Sequence, residues 1–341
     1  MLRKLILILL IPVMLLTGCT FGSSRKQQYQ ATYLDLFDTV TTISAVAEDE
    51  AAFQTQAQEI HDRLLTYHQL FDIYNDYEGL NNLKTVNDQA GIAPVQVDGE
   101  VIHLLEDCRD YYERTDHRMN VAMGSVLSLW HDARTAALDD PEHAALPEEA
   151  ALKQASLHTG WDSVQINAED STVYLSDPEL RLDVGAVAKG WAVQQVAQSA
   201  PDGLLISVGG NVCATGPKDE TGTPWVVGIA DPDGGDNYLH TLNDTDMAIV
   251  TSGDYQRYYV VDGKVYHHII DPETLYPGTR WRSVTIVCRD SGLADALSTA
   301  LFLLPREEGA ALLEQADAQA MWVDAQGNCF YTDGFREYLR S

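Results

Sequence analysis

Tyr258-Tyr259-Val260-Val261-Asp262-Gly263-Lys264-Val265-Tyr266-His267-His268-Ile269-Ile270 is the stretch that decides the fold. Two runs rich in β-branched and aromatic residues flank Asp262-Gly263, a pair suited to the positive φ angles of a two-residue hairpin turn. Strands joined that way are antiparallel by construction. Similar runs recur at 204–208, 225–230, 247–251 and 284–288, with a last pair at 321–323 and 330–331. Residues 173–175 and 180–183 read as a further hairpin about 176–179, and 32–46 as one strand. Between these groups the apolar spacing becomes helical. Phe53, Ile60, Leu64 and Phe71 open the series, followed by helices over 101–112, 121–130, 147–157, 185–196 and 293–304, the last stopped by Pro305. Residues 74–91, polar and rich in Asn, Asp and Gly, read as a long loop. Strands in pairs with helices between groups predict an α+β fold, antiparallel sheets with helices packed on one face.

The chain has 341 residues, 45% of them apolar, and carries 22 basic against 51 acidic side chains, a net charge of −29. An acidic surface repels phosphate backbones, which excludes a sequence-independent grip on nucleic acid. No stretch beyond the first twenty residues is apolar for the length of a bilayer span. At the start, Arg3 and Lys4 precede an apolar run and then Leu16-Thr17-Gly18-Cys19. A basic start, a short apolar core and small residues at its end predict a secretory signal over 1–18. Small residues just before a Cys resemble a bacterial lipobox, which makes Cys19 the lipidated first residue of the mature chain, anchored on the extracytoplasmic face of the cell membrane. An uncleaved single-span anchor is the alternative. Residues 19–30 then read as a tether and 31–341 as one domain. Cys108, Cys213, Cys288 and Cys329 show no CxxC spacing and sit among apolar neighbours, so buried free thiols are expected, with disulfide pairing left open.

Four segments place polar groups where a plain core would not. In the first, Asp183 ends a strand and Gly185-Ala186 lead into a helix carrying Lys189; a helix N-terminus with a nearby ammonium suits phosphate. Gly209-Gly210 follow a buried strand and allow either a tight turn or close approach to a ligand. His267 and His268 alternate across a strand, so one at most faces a given pocket, and a histidine near a carboxylate such as Asp271 can accept a proton near neutral pH. Asp295 and Thr299 lie at i and i+4 on one helix face, a hard-oxygen pair suited to Mg²⁺.

In their order and context these segments resemble the FAD:protein FMN transferase (ApbE) family. The resemblance rests on LDVGAVAKGWAV from Leu182, ISVGGNV from Ile206, the run from Thr251 to Pro277, ADALSTALF from Ala294, and the weaker LFDTVTTI from Leu36. It implies a T-fold-like core and a Mg²⁺-dependent enzyme that moves FMN from FAD onto a Thr hydroxyl of an exported or membrane target protein, releasing AMP. It further implies that Asp183 and Lys189 contact FAD, that Ala186 (through its carbonyl), Asp295 and Thr299 hold the metal with Ser298 adjacent, and that Ile269 lines the flavin site beside His268 and Asp271, the candidate catalytic bases. Phe37, Tyr74, Arg118, Met119 and Asn120 fall where the family contacts the nucleotide. Two positions depart from its pattern: Asn120 stands where an acidic residue is usual, and Leu275 where Gly is commoner. The alternatives are a Mg²⁺-dependent FAD pyrophosphatase and a non-catalytic FAD-binding lipoprotein.

Overall fold

The computed structural model describes residues 26–235 and 237–340. The expected signal segment 1–18 and Cys19 lie outside those residues, as does most of the tether. Residues 27–30, the end of the expected tether, belong to a strand. The chain opens with β1 (Gln27–Leu36), β2 (Thr39–Ala47), α1 (Glu50–Phe71), α2 (Leu83–Asp88), β3 (Val95–Gln96), α3 (Gly99–Arg114), α4 (Gly124–Asp139) and α5 (Glu149–Ala155). It continues through β4 (Val164–Asn167), β5 (Thr172–Leu175), α6 (Ala188–Ser199), β6 (Leu204–Val208), β7 (Asn211–Ala214), β8 (Trp225–Ala230), β9 (Tyr238–Asp244) and β10 (Ala248–Gly253). The last part holds β11 (Tyr258–Val261), β12 (Lys264–His267), β13 (Ser283–Cys288), α7 (Ser291–Leu303), α8 (Arg306–Glu314), β14 (Gln319–Val323) and β15 (Cys329–Tyr331).

Eight strands form one sheet in the order β1-β2-β6-β7-β10-β13-β14-β15, with every neighbouring pair antiparallel. Strand alternation divides its side chains between two layers. Val250, Val284, Ile286 and Trp322 point into the main core with Phe53, Leu64, Trp191, Leu297 and Phe302 from α1, α6 and α7. Ile249, Val287, Met321 and Val323 point the other way, onto Val227, Ile229 and Leu242 of the β8–β9 hairpin and onto Phe335. The main helices therefore cover one face, as expected, and a hairpin covers the other. The β11–β12 hairpin stands apart and packs on α4, where Tyr259 and Ile270 share a cluster with Met123, Val126 and Trp130. Asp262 (φ 50°) and Gly263 (φ 76°) make its turn, as the sequence predicted.

Several local expectations change. Residues 32–46 are not one strand but most of a hairpin, turned by Phe37 and Asp38 at φ 51° and 52°. Neither residue is Gly, so the turn left no mark in the sequence. The loop at 74–91 contains α2, whose start is fixed by a capping box: Thr85 N donates to Asn82 Oδ1 and Asn82 N to Thr85 Oγ1. β5 pairs with β4 and β3 rather than with 180–183, so that predicted hairpin does not form. Gly209 and Gly210, at φ 57° and 93°, turn β6 into β7. All four remaining cysteines are free. Cys213 and Cys288 flank Ala248 from opposite sides, two strand spacings or roughly 10 Å apart, beyond disulfide reach.

Candidate active site at the crossing of two helices

The α6 and α7 helices cross where Gly190 meets Asp295. A Cβ on Gly190 would lie 2.4 Å from the Ser291 carbonyl oxygen and 2.5 Å from the Asp295 Cβ, so only glycine permits this approach. The reward is a hydrogen bond from Gly190 N to Asp295 Oδ2 at 2.9 Å. Lys189 Nζ stands 3.8 Å from the same oxygen. Asp295 is only 5% exposed, and burial raises its pKa against the opposing pull of Lys189 and the Gly190 amide. One turn on, the half-buried Thr299 hydroxyl makes no hydrogen bond among the described residues, and the Ala186 carbonyl accepts none. Ser298 is differently placed. It is buried, donates to the Asp295 carbonyl at 2.9 Å and pairs with Ser252 Oγ at 2.8 Å, so its hydroxyl is already committed.

Among the described residues no three His, Cys, Asp or Glu side chains gather as a metal cluster. One carboxylate, one free hydroxyl and one free carbonyl nonetheless fit Mg²⁺, which takes few protein oxygens and completes its octahedron with water and phosphate. A buried carboxylate that burial drives toward protonation is a group that gains from a cation.

Around this point the charge is opposite to that of the whole chain. Lys189 and Arg257 act electrostatically on both Asp183 and His268, and Arg134 acts on both His268 and Tyr74. Three cations from α6, α4 and the β10–β11 connection thus converge in a protein of net charge −29. Burial and Arg257 together lower the Arg134 pKa. His268 keeps a solvent-exposed surface although protein surrounds much of it. The loss of hydration, then Arg257, His267, Lys189 and Arg134, press its pKa down to about 3. Asp183, half-buried, accepts from Gly185 N at 2.9 Å, and burial raises its carboxyl. The arrangement suits a pyrophosphate, with a neutral imidazole beside it.

The two histidines have separated as alternation required. His267, 7% exposed, donates from Nε2 to the Gly278 carbonyl at 2.7 Å and accepts from Ile269 N at Nδ1, so both ring nitrogens are occupied. His268 makes no hydrogen bond among the described residues, and none joins it to Asp271. Asp271 instead accepts from Glu273 N at 2.9 Å and lies 3.6 Å from Arg118 Nη1. Arg118 also pairs with Glu273 at 2.7 Å and keeps a buried Nε without a partner. Met119 is core, 1% exposed, and Ile269 is 5% exposed, so neither side chain offers much surface to a ligand. Asn120 spends both ends of its amide internally, on Thr159 O and Ala122 N. Phe37 sits edge-on to His68, and Tyr74 stacks on His131 with centroids 5.1 Å apart.

Sequence reasoning missed His131, Arg134 and Arg257. Each is a lone polar residue on a helix or loop, with no spacing to mark it. Cavities of about 460 and 320 Å³ lie elsewhere, between α1 and the end of α6 and beside β12. The charge arrangement, not cavity volume, locates this site.

Comparison with known proteins places the chain in a family. A family model described as the ApbE family matches residues 37–322. A FAD:protein FMN transferase of Treponema pallidum (strain Nichols) is 37% identical over 251 residues, 68% of this chain and 67% of the relative. Another, from Klebsiella pneumoniae (strain 342), is 31% identical over 277 residues, 77% of this chain and 83% of that one. The crystal structure of the ApbE protein of Thermotoga maritima superposes with a TM-score of 0.81 at 28% identity, covering 92% of this chain and all of that one. The fold and these relatives together define an enzyme of the flavin transferase class. The chain belongs to the ApbE family.

Proposed function

We infer that this enzyme transfers FMN from FAD to a threonine hydroxyl of a target protein. The observation that carries this reading is the convergence of Lys189, Arg134 and Arg257 on a neutral His268, next to the Asp295/Thr299 pair. The three cations hold the pyrophosphate of FAD, and Tyr74, stacked on His131, offers the other face of its ring. The acceptor Thr oxygen attacks the FMN-side phosphorus, the bond from that phosphorus to the bridging oxygen breaks, and AMP leaves with its electron pair. His268, uncharged and free of hydrogen bonds, takes the Thr proton. Asp271, already tied to Arg118 and the Glu273 amide, orients that corner of the site. Asp295, Thr299 and the Ala186 carbonyl would hold Mg²⁺, which supplies charge neutralisation for the departing phosphate.

The test is a mass spectrum of a Thr-containing acceptor after incubation with FAD and Mg²⁺. An FMN adduct supports transfer; free FMN and AMP without adduct would mean water replaces the Thr, and the enzyme is a pyrophosphatase. The leader motif supports a lipid anchor at Cys19 that holds the enzyme at the extracytoplasmic face of the membrane, where an exported or membrane-bound target is within reach. Cys19→Ser should then move the protein from the membrane to the soluble fraction, because the acyl attachment point is gone. Membrane retention of that variant would favour the uncleaved anchor.

A further inference from the structure

The β11–β12 hairpin carries an apolar face that the proposed FAD site does not include. Its two strands pair only with each other. One face, with Tyr259 and Tyr266, packs against Trp130. On the other face Val260 stands opposite Val265 and Tyr258 opposite His267. Tyr258, Val260 and Val265 are 44%, 45% and 48% exposed. An apolar face on an unpaired strand edge is a template for another extended chain.

Beside β12 lies the cavity of about 320 Å³. One wall is the run 264–267 and the other is the run 276–279. The walls are pinned together at one end, by the Ile270–Pro277 bridge, by Gly278 N donating to Ile269 O at 3.0 Å, and by the His267–Gly278 hydrogen bond. The lining runs on from that end to Lys264 and Thr279, which makes the space a slot beside β12. Its closed end is one residue from His268. Asp254 lines the slot and has a buried Oδ1 with no partner, while its Oδ2 accepts from Arg282 Nε at 2.9 Å. The slot therefore offers a free strand edge and one carboxylate oxygen waiting for an N–H or O–H. At this volume it sits at the small end of ligand sites, room for peptide rather than dinucleotide.

We propose that this slot and the Tyr258–Val260–Val265 face bind the acceptor polypeptide, an extended segment that adds to the outer edge of β12 next to the residue being modified. The assignment rests on the transferase reading above, which requires a second substrate made of polypeptide. It also rests on continuity, since His267 faces the slot and its neighbour His268 faces the cations. Strand addition gives affinity through the backbone and selectivity through alternate side chains. Alternation sends the acceptor hydroxyl toward the His268 side and the flanking side chains onto Val260 and Val265.

The experiment uses the enzyme with FAD, Mg²⁺ and a library of short random peptides that each carry a central Thr. Modified members are sorted by mass spectrometry. The wild-type enzyme should favour peptides with apolar or β-branched residues at alternate positions beside the Thr. Val260→Lys/Val265→Lys should cut peptide modification about tenfold or more and erase that preference, while FAD binding, read by flavin fluorescence, stays unchanged and reports an intact fold. Modification with no sequence preference, or a preference the double variant keeps, would overturn the docking assignment alone. Absence of any adduct with wild-type enzyme would remove the transferase reading and this one with it. A homodimer that the double variant dissolves, seen by light scattering, would assign the face to a second copy of the chain instead.

Discussion

The amide of Gly190 donates to the Asp295 carboxylate at 2.9 Å, across a helix crossing too tight for any other residue at position 190. The contact aims a buried charge and removes one of its options, since Oδ2 is engaged and Oδ1 is left for a cation. Asp295→Asn keeps the shape and the accepting oxygen while discarding a charge that burial disfavours. The protein should unfold at the same denaturant concentration as wild type, or a higher one, and form no FMN adduct. An active Asp295→Asn enzyme would sink the metal assignment. Gly190→Ala forces the helices apart, and overpacking of this kind costs about 1–3 kcal/mol. Its midpoint should fall.

The paired histidines should separate in kinetics as they do in space. His268→Ala should lose on the order of 10²–10⁴ in rate, the usual range for a general base. His267→Ala should instead lower stability, because Gly278 O and Ile269 N lose their partner. The acidic limb of kcat/KM reports the free enzyme, where the cations and enclosure hold the His268 pKa far below 6.5. Activity should therefore persist as pH falls below 6.5. A limb centred near pH 6.5 in wild type would contradict the environment described for His268.

Asp72 organises the loop that carries Tyr74. Its Oδ1 accepts from Tyr74 N and Asn75 N, and its Oδ2 from Asn75 Nδ2 and Tyr77 Oη, at 2.7 to 3.0 Å. Burial raises the carboxyl pKa, but these donors outweigh it and the net shift is downward. Asp72→Ala strands several donors, at about 1–3 kcal/mol for each that stays buried. KM for FAD should rise more than kcat falls, because the Tyr74 ring is no longer held. Equal losses in both would argue against a positioning role.

His61 predicts a pH effect remote from the site. It is 7% exposed on α1, with Nε2 at 3.1 Å from Asp35 of β1 and Nδ1 at 3.0 Å from Asp62. Burial opposes its charge, yet the hydrogen bonds to Asp62 and Asp35 prevail and raise its pKa above 6.5. A raised folded-state pKa means that its stabilisation is complete below the unfolded value and is lost as pH climbs through the folded one. Both carboxylates are largely exposed, so the effect is screened and small. Between about pH 6 and about pH 8 the wild-type Tm should fall slightly, and His61→Gln should flatten the difference. An unchanged difference in His61→Gln would place the effect in other groups.

What the sequence determined by itself is whatever depends on short range. The Asp262-Gly263 turn, the alternation that splits His267 from His268, and the single helix face shared by Asp295 and Thr299 are consequences of local geometry, and all three are present. The antiparallel α+β class follows from the same periodicities. Only the tertiary structure decided which charges meet. Arg134, Arg257 and Lys189 lie on three separate elements, and no spacing in the chain relates them. The Phe37-Asp38 turn was hidden because left-handed backbone there is held by packing and by Phe37 N donating to His68 Nδ1, not by glycine. Gly190 read as one small residue among several until the crossing of α6 and α7 gave it a neighbour. Periodicity is written into bond geometry residue by residue, whereas convergence of charge is a property of distances that exist only once the core has closed.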